Sequence, residues 1–144
     1  MKALVTGGNG FIGSELIKTL EIKGFFLKLL SRQDNKNYDT IVCNLGTDKI
    51  PEHALQDVDI VFHLAGYTHD LVDLKSKDKI YYDVNVKASV ELFKIAINKG
   101  VKKFIYLSSV KAGGLILENS CMTEKDQGFP TDIYGLTKRT AEIE

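Results

Sequence analysis

Three glycines at a strand-to-helix junction constrain this chain more than any other feature. The run Val5-Thr6-Gly7-Gly8-Asn9-Gly10-Phe11-Ile12-Gly13 continues the apolar stretch that starts at Ala3. It leads directly into Leu16, Ile17 and Leu20, which with Ile12 stripe one face of a helix over residues 12–22. Each glycine answers a physical demand. Gly7 permits a tight turn, Gly10 puts no side chain between the backbone and a pyrophosphate, and Gly13 lets the helix lie close on the strand. The start of the helix adds free N–H groups and the positive end of a dipole. A Walker-type phosphate loop does not fit. Gly8 and Gly13 have its separation, but Ser14 stands where that loop needs a lysine.

The rest of the chain alternates in the same way. After a stop at Gly24, Phe25 to Leu30 reads as a second strand, Thr40 to Cys43 as a third, and Val58 to Leu64 as a fourth that is apolar almost throughout. Residues 82–99 read as one long helix, with Val84, Ala88, Leu92, Phe93, Ala96 and Ile97 on its apolar face and Gly100 after its end. Lys103 to Leu107 is a fifth strand, residues 110–132 a long loop, and a last helix begins near Tyr134 and is still running at Glu144. Strands separated by helices predict right-handed βαβ units. The expected fold is α/β, a doubly wound parallel sheet (Rossmann fold) with strand order 3-2-1-4-5. Residues 1–144 are expected to form one dinucleotide-binding domain, cut within its last helix.

Composition excludes other classes. With 44% hydrophobic and 26% charged residues the chain has a globular balance and not a disordered one. Nineteen basic residues match 19 acidic ones, so no basic face is expected for nucleic acid or an acidic membrane. The pairs Lys102-Lys103 and Lys138-Arg139 read as solvated charge. Cys43 and Cys121 are too few and too far apart for a disulfide framework or a zinc site, and His53, His63 and His69 lack metal-ligand spacing, so no metal is expected. No apolar run reaches the roughly 18 residues of a membrane span. The first apolar stretch is too short for a signal peptide, which makes a cytoplasmic address the expectation.

Five motifs in order carry a resemblance. The G-x-x-G-x-x-G loop, His63-Leu64-Ala65-Gly66 at the end of the fourth strand, Asn85-Val86 in the long helix, Leu107-Ser108-Ser109 after the fifth strand and Tyr134-Gly135-Leu136-Thr137-Lys138 together resemble the extended short-chain dehydrogenase/reductase superfamily, the branch of NAD-dependent nucleotide-sugar epimerases, dehydratases and ketoreductases. The resemblance runs over the whole chain and implies an NAD(P)-dependent enzyme acting on a nucleotide-sugar. It assigns Tyr134 as the acid/base, Lys138 as its electrostatic partner on the nicotinamide ribose, and Ser109 as the hydroxyl that holds the substrate oxygen, with Ser108 a supporting neighbour. Beyond the loop glycines, Phe11, Ile12, Leu64, Ala65 and Gly66 are implied to line the cofactor. Asn85 is either the structural asparagine of the site or a plain helix-start residue. His63 is expected to pack beside the cofactor.

The residues carry their own chemistry. Tyr134 and Lys138 are four apart on a helix and share a face, and an ammonium beside a phenol favours the phenolate. At the tip of the second strand an NAD enzyme usually keeps a carboxylate for the ribose. Here the tip is Ser31-Arg32, with Asp34 only later, which suits a 2′-phosphate and predicts NADP(H) over NAD(H). Asn44-Leu45 aligns with an Asp-Leu pair the superfamily uses near adenine. Lys111 and Tyr67 lie just past sheet strands and are candidate substrate contacts.

The implied reaction is ketoreduction or epimerisation, with ketoreduction favoured by the Ser31-Arg32 tip. The segment Ser108 to Gly114 resembles ketoreductases and epimerases of surface-polysaccharide synthesis. The family also implies a separate C-terminal substrate domain, absent from residues 1–144, and a homodimer when full length. A second reading is a dinucleotide-binding fragment without turnover.

Overall fold

The computed structural model describes residues 1–68, 78–114, 123 and 128–144. His69, Cys121 and most of the loop expected over 110–132 lie outside the described residues. Five strands form one sheet: β1 (Lys2–Thr6), β2 (Phe26–Ser31), β3 (Asp39–Val42), β4 (Ile60–His63) and β5 (Lys103–Tyr106). Their order is β3-β2-β1-β4-β5, and every pairing is parallel. This is the expected doubly wound topology, in which the chain winds outward from β1 in both directions.

Register places the chemistry. Thr6 pairs with Leu30 on one side and His63 on the other, so the three central strands end within one residue of each other. Loops leaving that edge meet over β1. Side-chain alternation then splits the core. Leu4, Leu30 and Val61 face helix α3 (Ala88–Asn98) through Ala88, Leu92 and Ala96, while Ala3, Val5 and Leu29 face helix α1 (Phe11–Ile22) through Ile17 and Leu20. Helices on both faces are what a parallel sheet requires.

Two elements differ from the sequence reading. The helix expected over 82–99 begins as a short helix α2 (Asp78–Tyr82), widens into a π turn over Asp83–Lys87, and only then becomes α3. Both Asn85 and Val86, adjacent residues, are buried in that wide turn. Hydrophobic spacing cannot reveal a π turn, because one inserted residue shifts the phase without changing the composition. Phe93 and Ile97, expected on the apolar face of that helix, are 43% and 60% exposed. A short 3-10 turn at Glu52–Leu55, absent from the sequence reading, buries Ala54 and Leu55 under the sheet. The last helix, α4, runs Ile133–Ile143. No helix among the described residues is long and apolar enough to cross a membrane.

Candidate active site

The glycine loop is built by close backbone approach. Gly7 has φ +73, and a Cβ there would lie 2.7 Å from the Ala65 nitrogen, so the chain leaving β4 presses on the turn. A Cβ on Gly13 would collide with the Gly7 carbonyl oxygen and come within 2.8 Å of Gly8 Cα, so the first turn of α1 rests on the loop itself. The Gly10 amide donates to Gly7 O at 3.0 Å, and Gly10 O accepts from Ser14 N at 2.9 Å. A Cβ on Gly10 would meet only Gly7 O, at 3.3 Å, so glycine here leaves the outer face of the loop clear. Phe11 is 90% exposed beside it, and Ile12 is also exposed.

Beside the loop, Ser31 closes β2. Its hydroxyl accepts from Asn9 Nδ2 at 3.2 Å and from the Gln33 amide at 3.4 Å, which ties the strand tip to the glycine loop. Arg32 is exposed, as is Asn44. Asn44 ends β3's exit with its amide on Asp48, while Leu45 turns inward and joins the core around Leu4.

A buried polar chain runs from β1 to the far helix. Thr6 Oγ1 lies 2.6 Å from His63 Nδ1, and His63 Nε2 lies 2.8 Å from Ser89 Oγ. The Ser89 hydroxyl donates to Asn85 O at 2.8 Å, and Thr6 Oγ1 accepts from the Ala65 amide. Proton accounting therefore makes His63 Nε2 the donor to Ser89 and Nδ1 the acceptor from Thr6. Burial, with a smaller contribution from the Lys138 charge, pushes the His63 pKa down to about 3, so the ring is neutral. Asn85 continues the chain. Its Oδ1 accepts from the Tyr67 amide at 2.7 Å, and its Nδ2 donates to Tyr67 O and to Thr137 Oγ1, both at 3.1 Å. Asn85 is thus a strut between the loop after β4 and α4.

Helix α4 carries Tyr134 in its first turn and Lys138 one turn on. The expectation of solvated charge fails at Lys138, which is only 3% exposed, although Lys102 and Lys103 are solvated. Helix periodicity turns Lys138 toward the sheet. Its ammonium sits 4.1 Å from the Tyr106 ring centroid, a cation–π contact. Burial pushes its pKa down to about 8, with Glu142 opposing. Gly66 lies across from it, where a Cβ would stand 3.8 Å from Lys138 Nζ. Burial also pushes the Tyr106 phenol up.

Ser109 caps the 3-10 turn Val110–Gly113, its hydroxyl oxygen accepting from the Lys111 amide at 3.3 Å. Ser108 Oγ is buried and without a partner among the described residues. Lys111, a candidate substrate contact by sequence, has its ammonium on Asp132 Oδ2 at 2.6 Å. Tyr67, the other, sets its ring edge-on to Tyr81, centroids 4.9 Å apart. Sequence reading missed Thr6, Ser89, Thr137 and Asp132. Only Asp132 had a signal, as an N-cap residue directly before a helical pattern.

Fold and loop together define a doubly wound α/β domain with a tight glycine loop at the carboxyl edge of its sheet. The model of the NAD dependent epimerase/dehydratase family matches residues 3–144, and the chain belongs to that family. It is 33% identical to UDP-glucose 4-epimerase of Vibrio cholerae, over 96% of this chain and 44% of that protein. It is also 33% identical to N-acetyl-alpha-D-glucosaminyl-diphospho-ditrans,octacis-undecaprenol 4-epimerase of Escherichia coli O157:H7, over 96% of this chain and 41% of that one. Among solved structures, MoeE5 in complex with UDP-glucose and NAD superposes with a TM-score of 0.85 at 28% identity, covering 99% of this chain and 47% of that chain. The chain spans less than half the length of these relatives.

Proposed function

We propose that this chain is the dinucleotide-binding part of an NAD(P)-dependent oxidoreductase or epimerase acting on a nucleotide-sugar. The observation that carries the reading is Lys138, a buried lysine whose ammonium lies over the Tyr106 ring, on the same sheet edge as an open glycine loop. A group with ribose hydroxyls at one end and a pyrophosphate in the middle satisfies both features. The pyrophosphate would rest on the loop of Gly7, Gly10 and Gly13, the adenosine end near Ser31, Arg32, Asn44 and Leu45, and the nicotinamide ribose on Lys138, with Phe11, Ile12, Leu64, Ala65, Gly66 and Asn85 around it. When bound, the dinucleotide supplies a hydride donor or acceptor.

The chain's own residues handle the proton. Tyr134 gives it to, or takes it from, the substrate oxygen, and the Ser109 hydroxyl donates a hydrogen bond to that oxygen. Lys138 orients the ribose and adds positive charge beside the phenol. Tyr67 stands at the substrate side. The reaction is a 4-ketoreduction or an epimerisation in surface-polysaccharide synthesis, carried out in the cytoplasm by a homodimer of the full-length protein. Two 4-epimerases among the relatives support this class. Tyr134→Phe in the full-length enzyme should lower turnover by about a hundredfold or more with dinucleotide affinity nearly unchanged. Normal turnover would refute the role.

The cofactor is NADP(H) in preference to NAD(H). The β2 tip offers a hydroxyl and an exposed guanidinium where a carboxylate would repel a 2′-phosphate. NADPH should bind the wild type more tightly than NADH, and Arg32→Ala should remove that difference. Equal affinities in both proteins, or tighter NADH binding as the NAD in the MoeE5 complex suggests for that protein, would overturn the preference. The alternative, a fragment that binds dinucleotide without turnover, is favoured by the share of the relatives' length that this chain spans. Dinucleotide binding without reduction or epimerisation of UDP-sugars would support it.

A further inference from the structure

Lys111 stands at the junction of two elements that each carry a proposed catalytic hydroxyl. Its amide donates to Ser109 Oγ at 3.3 Å, and its ammonium donates to Asp132 Oδ2 at 2.6 Å. Asp132 Oδ1 in turn accepts from the Gly135 amide at 2.7 Å, capping α4 one residue before Tyr134's turn closes. The backbone fits as closely as the side chains. A Cβ on Gly135 would come within 2.5 Å of Lys111 O, so the 3-10 turn and the helix start touch through main chain. The ammonium also lies 6.0 Å from the Tyr134 ring centroid.

We propose that Lys111 and Asp132 form a clasp that holds the Ser109 turn against the first turn of α4, and so sets the separation of the Ser109 and Tyr134 hydroxyls. The roles of those two hydroxyls rest on the function proposed above; the clasp itself does not. This makes Lys111 a positioning residue whose charge is spent inside the protein, and not a counter-ion for an anionic substrate group. The two charges support each other: the Gly135 amide and Lys111 hold the Asp132 carboxyl below the usual carboxylate range, and Asp132 raises Lys111. Both side chains are partly solvated, 58% and 41% exposed, so the effect is local and modest.

Amide hydrogen exchange in the full chain tests the clasp without any ligand. The reporting amides are Ala112, bonded to Ser109 O, and Leu136, bonded to Asp132 O. Lys111→Met keeps the aliphatic stem and removes the charge, and should speed exchange at both sites by about two- to fivefold. Lys111→Arg should restore the wild-type rates. Asp132→Asn retains a capping side chain but not the ion pair, and adding Lys111→Met to it should change nothing further. The denaturant midpoint should stay where it is in every variant. Unchanged exchange in Lys111→Met, an equal effect of that substitution in both backgrounds, failure of arginine to rescue, or a matching fall in global stability would each overturn the clasp. A separate NADPH titration keeps the two proposals apart. A chain that binds no dinucleotide ends the proposed function and leaves the exchange result to decide the clasp alone.

Discussion

Lys138→Met is expected to make the ligand-free protein more stable, by about 1–3 kcal/mol at neutral pH, while abolishing tight dinucleotide binding. The stabilisation follows from linkage. A lysine whose folded pKa is pushed down to about 8, from the ordinary 10.5, is charged in a place that resists charge. Below pH 8 the ammonium is present in both states and its burial costs stability, about 1.4 kcal/mol for each pH unit separating the two values. Between 8 and 10.5 the folded state sheds its proton first, and stability rises with pH. Methionine removes the cost and the alkaline rise together, and gives up only the cation–π contact with Tyr106. Thermal unfolding of wild type and variant at pH 7 and pH 10 would check this. A variant less stable at pH 7, in a protein whose wild type shows no gain toward pH 10, would refute it. In the function proposed above, a bound ribose would offset that cost, the usual relation between a site and the stability of its scaffold.

Acid should weaken the fold well before the carboxylates titrate. His63 has its pKa pushed down to about 3 from the ordinary 6.5, because its ring is buried and, to a smaller extent, because of the Lys138 charge. Its contribution is complete above pH 6.5. As pH falls below that value the unfolded chain takes up a proton that the folded chain refuses. Stability then drops by about 1.4 kcal/mol per pH unit, or roughly 3 kcal/mol by pH 4.5. Asp59 and Asp83, both held below the usual carboxylate range by neighbouring lysines, add their own losses only below about pH 4. Urea unfolding at half-unit steps from pH 7 to 4.5, with the His63 ring followed by NMR, separates these contributions. A ring that protonates in the folded protein near its ordinary value, or a flat stability profile over that range, would refute the account. Protonation would put an N–H on His63 Nδ1 and leave the Thr6 hydroxyl proton without that acceptor, directly before the glycine loop.

What these two groups share is position. Both sit under the carboxyl edge of the sheet, and one chain of hydrogen bonds joins Thr6, the residue before the loop, to Thr137, the residue before Lys138. Thr137 Oγ1 also donates to the Ile133 and Tyr134 carbonyls. The proposed acid/base helix and the proposed phosphate loop are therefore referenced to each other through the core and not across solvent.

The sheet order, the glycine loop and the places of Tyr134 and Lys138 were legible from residues alone, for a physical reason. Parallel strands buried on both faces demand short apolar runs, helices demand a 3.6-residue stripe, and a phosphate cradle demands glycine, so each leaves a local mark. The family resemblance added roles to positions that were already distinct. What one dimension did not carry was how polar side chains are spent. Lys138 and Lys102 look alike in sequence, yet one is buried against Tyr106 and the other bridges Asp59 in solvent. Lys111 reads in sequence as a candidate substrate contact, and its ammonium is bound to Asp132, 21 residues on. Ser89, Thr137 and Thr6 carry no motif, and the π turn around Asn85 leaves no periodic trace. Local pattern determines where elements begin and which face they bury. Whether a given charge is paid out to water, to a ring or to a distant carboxylate depends on contacts between residues far apart in the chain, and only the folded arrangement decides those.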